Sequence, residues 1–289
     1  MDRSAGNRIL VMSHILVTGG SGFVGRELVR WLISSGHSVR VVSRQLSIPV
    51  ADVELHHTED LFAADEKELE SHLTGVDCVV HLGWYVNPND YIVSDKNWDC
   101  LSGSIRLGLV ARRMEIGHFV GIGTCIEYER TNEFRELTTP LRPDTTYGAA
   151  KASLYLSLAQ IFKESGTEFA WCRLFFLHGQ DQNSSRLVPR MKSDIERGVV
   201  SDIGDPSESR DYLEVTEAAR RIGRVVDKKL SGAFNVCSGT AVSALELFEQ
   251  FATQMDRLDL VEAVRSTLGP DTASKSQRIV GVPSPELID

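Results

Sequence analysis

No stretch of the 289-residue chain approaches the run of about 18 apolar residues that a membrane-crossing helix requires, and its start has no charged segment leading into an apolar one. A cytoplasmic protein with no membrane partner is expected. Basic residues are in deficit: 31 Lys and Arg stand against 40 Asp and Glu, a formal charge of -9, with an isoelectric point near 5.4. A sequence-blind nucleic-acid binder needs a basic face to displace counterions from phosphates, so no nucleic acid is expected either. Cysteine is sparse. Cys78, Cys100, Cys125, Cys172 and Cys237 lack Cys-x-x-Cys spacing, and most sit in apolar runs, as small buried hydrophobes do in a reducing compartment. His56 and His57 with Asp52 and Glu54 make no metal set, because neighbouring strand residues point to opposite faces. No glycine-serine elbow or Ser/His/Asp order suggests a hydrolase.

Strand-then-helix alternation, by contrast, runs through the first 170 or so residues, the mark of a parallel sheet. Strands are expected at His14 to Gly19, Ser38 to Ser43, Val53 to His57, Val76 to Gly83, His118 to Gly123 and Phe169 to Phe176. Between them lie helices from Phe23 to Gly36, Asp65 to Leu73, Asp95 to Met114 and Tyr147 to Gly166. In the first helix Val24, Leu28, Trp31 and Leu32 share one face, and Gly36 supplies the stop. Beyond Leu177 the pattern loosens into loops carrying His178-Gly179, Pro189 and the segment GDPSESRDY, with helices near Val215 to Lys228 and Ser243 to Gln254, the short strand AFNVC, and a proline-containing tail from Val280 to Asp289. Residues Met1 to Ser13 are set aside.

The segment TGGSGFVG, Thr18 to Gly25, follows a strand and opens a helix, and its Gly20, Gly22 and Gly25 fit G-x-G-x-x-G. Such glycines let the backbone turn tightly and approach a pyrophosphate, while the helix start offers unpaired N–H groups to the anion. Gly19, Gly22, Phe23, Val24 and Gly25 are therefore expected against a dinucleotide. The implied architecture is α/β: a Rossmann-type doubly wound parallel sheet over residues 1–176 and a smaller C-terminal α/β substrate-binding lobe over 177–289, with segments such as 212–237 returning to the first domain. In the NAD form of this fold an acidic residue about 20 positions on holds the ribose 2'-hydroxyl, yet no Asp or Glu occurs between Glu27 and Asp52. Ser43 and Arg44, with Arg40, suit a 2'-phosphate instead. NADP(H) is expected, with NAD less favoured.

Tyr147 and Lys151 are four residues apart at the start of a helix and share a face. A nearby ammonium favours the phenolate of a tyrosine, and Thr124, at the end of the strand HFVGIG, adds a hydrogen-bonding hydroxyl. With VDCVVHLG, GIGTCIEY, YGAAK, RLFFLHG, SRDYLEV and FNVCSG in order after the glycine turn, the chain resembles the extended short-chain dehydrogenase/reductases, the NAD-dependent epimerase/dehydratase group, over about Ile15 to Gly239. The resemblance implies that Tyr147 is the acid–base residue, that Lys151 holds the nicotinamide ribose and lowers the tyrosine pKa, and that Thr124 hydrogen-bonds the reacting oxygen. It places Asp60 and Leu61 near the adenine, His81, Leu82 and Gly83 along the inner half of the cofactor, and Asn97, Arg186 and Arg210 on the substrate. Cys125 and Ile126 occupy the positions where sugar 4,6-dehydratases carry an Asp-Glu pair, which argues against elimination. The expected activity is NADPH-dependent reduction of the 4-keto group of a nucleotide-linked 4-keto-6-deoxy sugar. A nucleotide-sugar 4-epimerase is the alternative, and a non-catalytic NADP-binding regulator the lesser one. The same resemblance implies a homodimer paired through the Asp95 to Met114 and Tyr147 to Ser165 helices.

Overall fold

The computed structural model describes residues 12–205, 208–267 and 278–288. Residues 1–11 of the leading segment, Pro206 and Ser207 of the GDPSESRDY loop, and Asp289 of the tail lie outside the described residues. The first two-thirds of the chain runs β1 (His14–Thr18), α1 (Phe23–Ser34), β2 (Ser38–Ser43), β3 (Val53–His57), α2 (Glu66–Leu73), β4 (Cys78–His81), α3 (Lys96–Arg113), β5 (His118–Thr124), α4 (Thr146–Phe162) and β6 (Glu168–Leu174). In β1 the alternation is plain: Ile15 and Val17 enter one core and Leu16 the other. Both faces of the strand are buried because helices cover a parallel sheet on both sides.

After β6 come β7 (Phe176–His178), α5 (Leu187–Glu196), β8 (Ser209–Glu214), α6 (Val215–Asp227), β9 (Gly232–Val236), β10 (Ala241–Ser243), α7 (Ala244–Gln254), α8 (Leu258–Thr267) and β11 (Arg278–Ile279). The large sheet is seven-stranded, in the order β3-β2-β1-β4-β5-β6-β9, and every pairing in it is parallel. The chain winds outward from β1 to β3 and then crosses back to β4. The carboxyl ends of β1 and β4 therefore splay around a crevice, the place where such sheets bind ligands. On one face Leu28 and Leu32 of α1 pack with Ile222 and Val225 of α6; on the other, Leu107 of α3 and Leu154 and Leu158 of α4 close over Phe119 and Trp171.

Three features differ from the sequence reading. The run FAWCRLFF is not one strand: β6 ends at Leu174 in the large sheet, and β7 pairs with β8 in a second, smaller sheet. Helix α5 was hidden by Pro189, which stands at its third residue, in the first turn, where a missing N–H costs nothing. The segment 212–237 divides. Residues 212–214 stay in the second sheet with β8, whereas α6 packs on the large sheet and β9 extends it. The lobe has its own core, in which Met191, Phe248, Phe251 and Val264 meet, and its tail turns back so that Leu287 is buried against the large sheet. No helix among the described residues is long and apolar enough to cross a membrane.

Asp211, on β8, joins these parts. Fully buried, its carboxylate accepts from the backbone N–H of Ser238 at 2.6 Å, the Ser238 hydroxyl at 2.7 Å, the N–H of Gly239 at 2.9 Å and the N–H of Gly281 at 3.3 Å. It thus pins the end of β9 and the C-terminal segment to the small sheet. Asp211→Ala is expected to cost about 3 kcal/mol or more, since each buried donor left without an acceptor costs about 1–3 kcal/mol. Urea unfolding followed by circular dichroism measures it, with Asp211→Asn losing less.

Candidate active site

The crevice is a cleft of about 640 Å3 at the carboxyl ends of β1, β2 and β4. Gly19, Ser21 and Gly22 of the glycine turn, Ser43 and Arg44 after β2, Asp60 and Leu61 after β3, and Leu82 and Gly83 after β4 line it. The turn approaches β4 closely: Gly19 adopts a φ of +71°, and a Cβ there would stand 2.8 Å from the Gly83 nitrogen. At Gly25 a Cβ would collide with the Gly19 carbonyl, so helix and turn meet only through glycine. Gly22 caps α1 with no side-chain hydrogen bond, and no acidic residue stands in the first turn. The N–H groups there remain available to an anion. These residues fit a dinucleotide pyrophosphate. Phe23, Val24 and Gly25 lie behind the cleft in the first turn of α1, Val24 being packed against the core.

A buried relay stiffens the floor. The Gly83 N–H donates to the Thr18 hydroxyl at 3.0 Å, Thr18 lies 2.7 Å from His81 Nδ1, and His81 Nε2 lies 2.8 Å from the Ser104 hydroxyl. Burial, aided by the Lys151 charge, pulls the His81 imidazole down to about 3. His81 is therefore a neutral brace beneath the cleft, not a lining group. Arg44 is exposed at the rim and forms no ion pair among the described residues. Arg40 is not available for a 2'-phosphate: it is buried, donating to the carbonyls of His72 at 2.7 Å and Thr74 at 2.8 Å and pairing with Glu54 at 3.0 Å.

Beside the cleft, at the carboxyl end of β5, stand Thr124, Tyr147 and Lys151. Tyr147 is half-buried at the start of α4, its N–H held by the Ile92 carbonyl at 3.0 Å. Burial drives its pKa upward, with Tyr91 and Glu127 adding to the rise; a hydrogen bond with Thr124 opposes it. The phenol is neutral. The lowering by Lys151 expected from the sequence is absent, because the lysine is turned elsewhere: its Nζ donates to the Ile122 carbonyl at 2.8 Å and lies 3.8 Å from the centre of the Trp84 ring.

The substrate candidates divide. Asn97 is fully buried, and its amide is consumed within the fold, donating to the carbonyls of Tyr91 and Ser94 and accepting from the Trp84 indole. Its role here is to brace the segment between β4 and α3, not to present a group to a ligand. Arg186 lies over the Tyr91 ring at 5.0 Å, and Tyr91 meets the Tyr147 ring edge-on at 5.2 Å. Arg210 is held in the second sheet, 2.8 Å from Glu208 and 4.7 Å over Phe176.

Two residues escaped the sequence reading. Trp84 follows the motif VDCVVHLG directly, and an aromatic at the carboxyl end of a strand beside the switch point was the available signal. Glu127 is fully buried one turn beyond Thr124, accepting from the Thr124 N–H at 2.7 Å, from the Trp171 indole at 3.1 Å and from Arg173 Nε at 2.8 Å. Arg173, itself buried, has its pKa lowered by burial and raised further by Glu127, so that it stays charged. Its presence in the apolar run FAWCRLFF was the signal. Among the described residues no group of three or more His, Cys, Asp or Glu side chains is placed to hold a metal, and all five cysteines are buried and free. Glu127→Ala should destabilise the protein by about 3–5 kcal/mol, the cost of leaving a buried charge unpaired, and Arg173→Met in the same chain should restore much of it. Denaturant midpoints of the single and double variants test this.

Residues 15–237 match the model of the NAD dependent epimerase/dehydratase family. The chain is 26% identical over 258 residues to the dTDP-6-deoxy-L-talose 4-dehydrogenase (NAD(+)) of Aggregatibacter actinomycetemcomitans, covering 83% of this chain and 90% of that protein. It is 28% identical over 255 residues to the dTDP-glucose 4,6-dehydratase of Streptomyces niveus, covering 82% of this chain and 76% of the other. Among solved structures, a UDP-N-acetylglucosamine 4-epimerase from Methanobrevibacter ruminantium M1 superposes with a TM-score of 0.79 at 21% identity, over 94% of this chain and 90% of that one. The parallel sheet, the glycine cradle and the match over most of the chain lead to one assignment: the protein belongs to the NAD dependent epimerase/dehydratase family and is an NAD-dependent oxidoreductase-type enzyme.

Proposed function

We propose that the enzyme reduces the 4-keto group of a nucleotide-linked 4-keto-6-deoxy sugar, with NADPH as the reductant. The observation that carries this reading is the placement of Tyr147 beside Thr124 at the carboxyl end of β5, where burial pushes the pKa of the phenol up and keeps it protonated. A neutral phenol is the form that gives a proton to a developing alkoxide, and the Thr124 hydroxyl steadies the same oxygen. The bound dinucleotide supplies the hydride. Lys151, buried one turn further along the same helix, would offer its ammonium to the ribose.

Elimination finds no support in the side chains beyond Thr124. Cys125 is buried and its thiol is pushed up to about 12 by burial, Ile126 is apolar, and the nearest carboxylate, Glu127, is engaged by Arg173 and Trp171. Support for NADPH comes from Ser43 and Arg44 at the rim, with no carboxylate at the end of β2 to claim a 2'-hydroxyl. The dehydrogenase relative named above works with NAD(+), and Arg44 is where this chain would part from it. We place the enzyme in the cytoplasm, where NADPH is supplied.

The test is stoichiometry. Purified enzyme given a dTDP- or GDP-linked 4-keto-6-deoxy sugar should oxidise one NADPH for each sugar reduced; turnover with no net NADPH consumption would identify an epimerase and overturn the reading. Tyr147→Phe should lower kcat by about 10²–10⁴-fold, the usual contribution of a positioned acid–base group. Arg44→Ala should raise KM for NADPH about ten- to hundredfold, the worth of hydrogen bonds to a charged group at about 1.5–3 kcal/mol, and leave KM for NADH nearly unchanged. Equal loss with both cofactors would remove Arg44 from the argument.

A further inference from the structure

Trp84 stands where the cofactor cleft and the catalytic pair meet. It lines the cleft, its ring centre lies 3.8 Å from Lys151 Nζ, and its edge meets the Tyr147 ring at 6.4 Å. The indole has little freedom. Its N–H donates to Asn97 Oδ1 at 2.8 Å, Phe62 abuts it edge-on at 6.3 Å, and Asn97 is itself fixed by the carbonyls of Tyr91 and Ser94 at 2.7 and 2.8 Å.

The Lys151 ammonium lacks the partner a buried cation ordinarily has. The polar groups around it come from every neighbouring element: Tyr147 on its own helix, His81 on β4, Cys100 on α3 and Glu127 beyond β5. His81 is neutral, the Cys100 thiol is pushed up to about 11 by burial, and Glu127 is committed to Arg173. No carboxylate among the described residues forms an ion pair with Lys151. Burial, opposed by Glu127 and Cys100, brings its ammonium down to about 7. One donor goes to the Ile122 carbonyl, and the indole face accounts for the remaining contact.

We propose that Trp84 is a positioning residue that takes the place of a counter-ion, its indole face holding the Lys151 ammonium charged and aimed between Ile122 and the cleft. This rests on the reading of Lys151 as part of a reductase site. An aromatic face attracts a cation most strongly when water is excluded. It also differs from a carboxylate in a way that matters chemically: it stabilises the charge without accepting the N–H donors. A lysine has three such donors. The two that Ile122 does not use are left for the hydroxyls of a ribose, whereas a carboxylate would compete for them.

The experiment is a pH titration of Lys151 in the ligand-free protein, by NMR of 13C-labelled lysine, with the resonance assigned by its loss in Lys151→Arg. Trp84→Leu should move the midpoint down by about one pH unit, a tenfold change in the protonation equilibrium, and Trp84→Phe should move it less. Replacing tryptophan with a fluorinated analogue keeps the ring's shape and weakens its face, so the midpoint should fall there too, even if Trp84→Leu does not fold. An unchanged midpoint in the fluorinated protein overturns the proposal. In kinetics, Trp84→Leu should shift the pH profile of kcat by the same amount. The NMR readout needs no substrate, so an enzyme that reduced no sugar would overturn the reductase reading and leave the Trp84 result standing; an active enzyme with an unmoved Lys151 midpoint would do the reverse.

Discussion

The buried ion pair between Glu127 and Arg173 holds the catalytic end of the molecule in register. It lies under Thr124, whose N–H it accepts, and it reaches outward through Tyr128. The Tyr128 hydroxyl takes a hydrogen bond from Arg173 at 3.3 Å and gives one to Asn235 at 2.8 Å. Asn235, on β9, then donates to the carbonyls of Arg135 and Val282. One continuous polar chain therefore runs from the Thr124 backbone to the last strand of the sheet and to the C-terminal segment. Because Glu127, Tyr128, Arg173 and Asn235 are buried, each must have a partner or the fold loses stability. The orientation of Thr124 is thus set by the same interactions that close the molecule.

Desolvation does the rest of the chemistry. It keeps His81 neutral so that it can brace the adjoining ends of β1 and β4, keeps the Tyr147 hydroxyl protonated, and brings the pKa of the Lys151 ammonium down to about 7. Three groups with very different ordinary pKa values are moved by one physical cause, and each shift suits the role proposed for the group. The cleft itself remains open and polar at its rim, where Arg44 and Asp60 stand exposed.

Much of this architecture was legible in the sequence because parallel strands buried on both faces read as continuous apolar runs, and the glycine turn identifies the switch point without further help. Strands β2 and β3 fall where the pattern places them. What the pattern could not show is where a strand leaves one sheet for another: nothing in FAWCRLFF marks Phe175 as the point of transfer, since both sides are equally apolar. Pro189 concealed α5 because proline reads as a breaker unless its place in the first turn is known. At the site, residue types were visible but directions were not. Lys151 was read as facing Tyr147, and it faces an indole; Asn97 was read as facing a ligand, and it is used up by its own loop. Arg40 and Arg44 look interchangeable in sequence, yet Arg40 lies within β2, where both faces are covered, and Arg44 in the exposed loop beyond it.

The transfer at Phe175 is one of a series. The chain passes from large sheet to small between β6 and β7, returns between β8 and α6, crosses again after β9, and comes back when Leu287 settles against the large core. The smaller lobe is consequently stitched from separate lengths of chain. No single cut can therefore remove it as a contiguous module without also taking α6 and β9 from the large sheet.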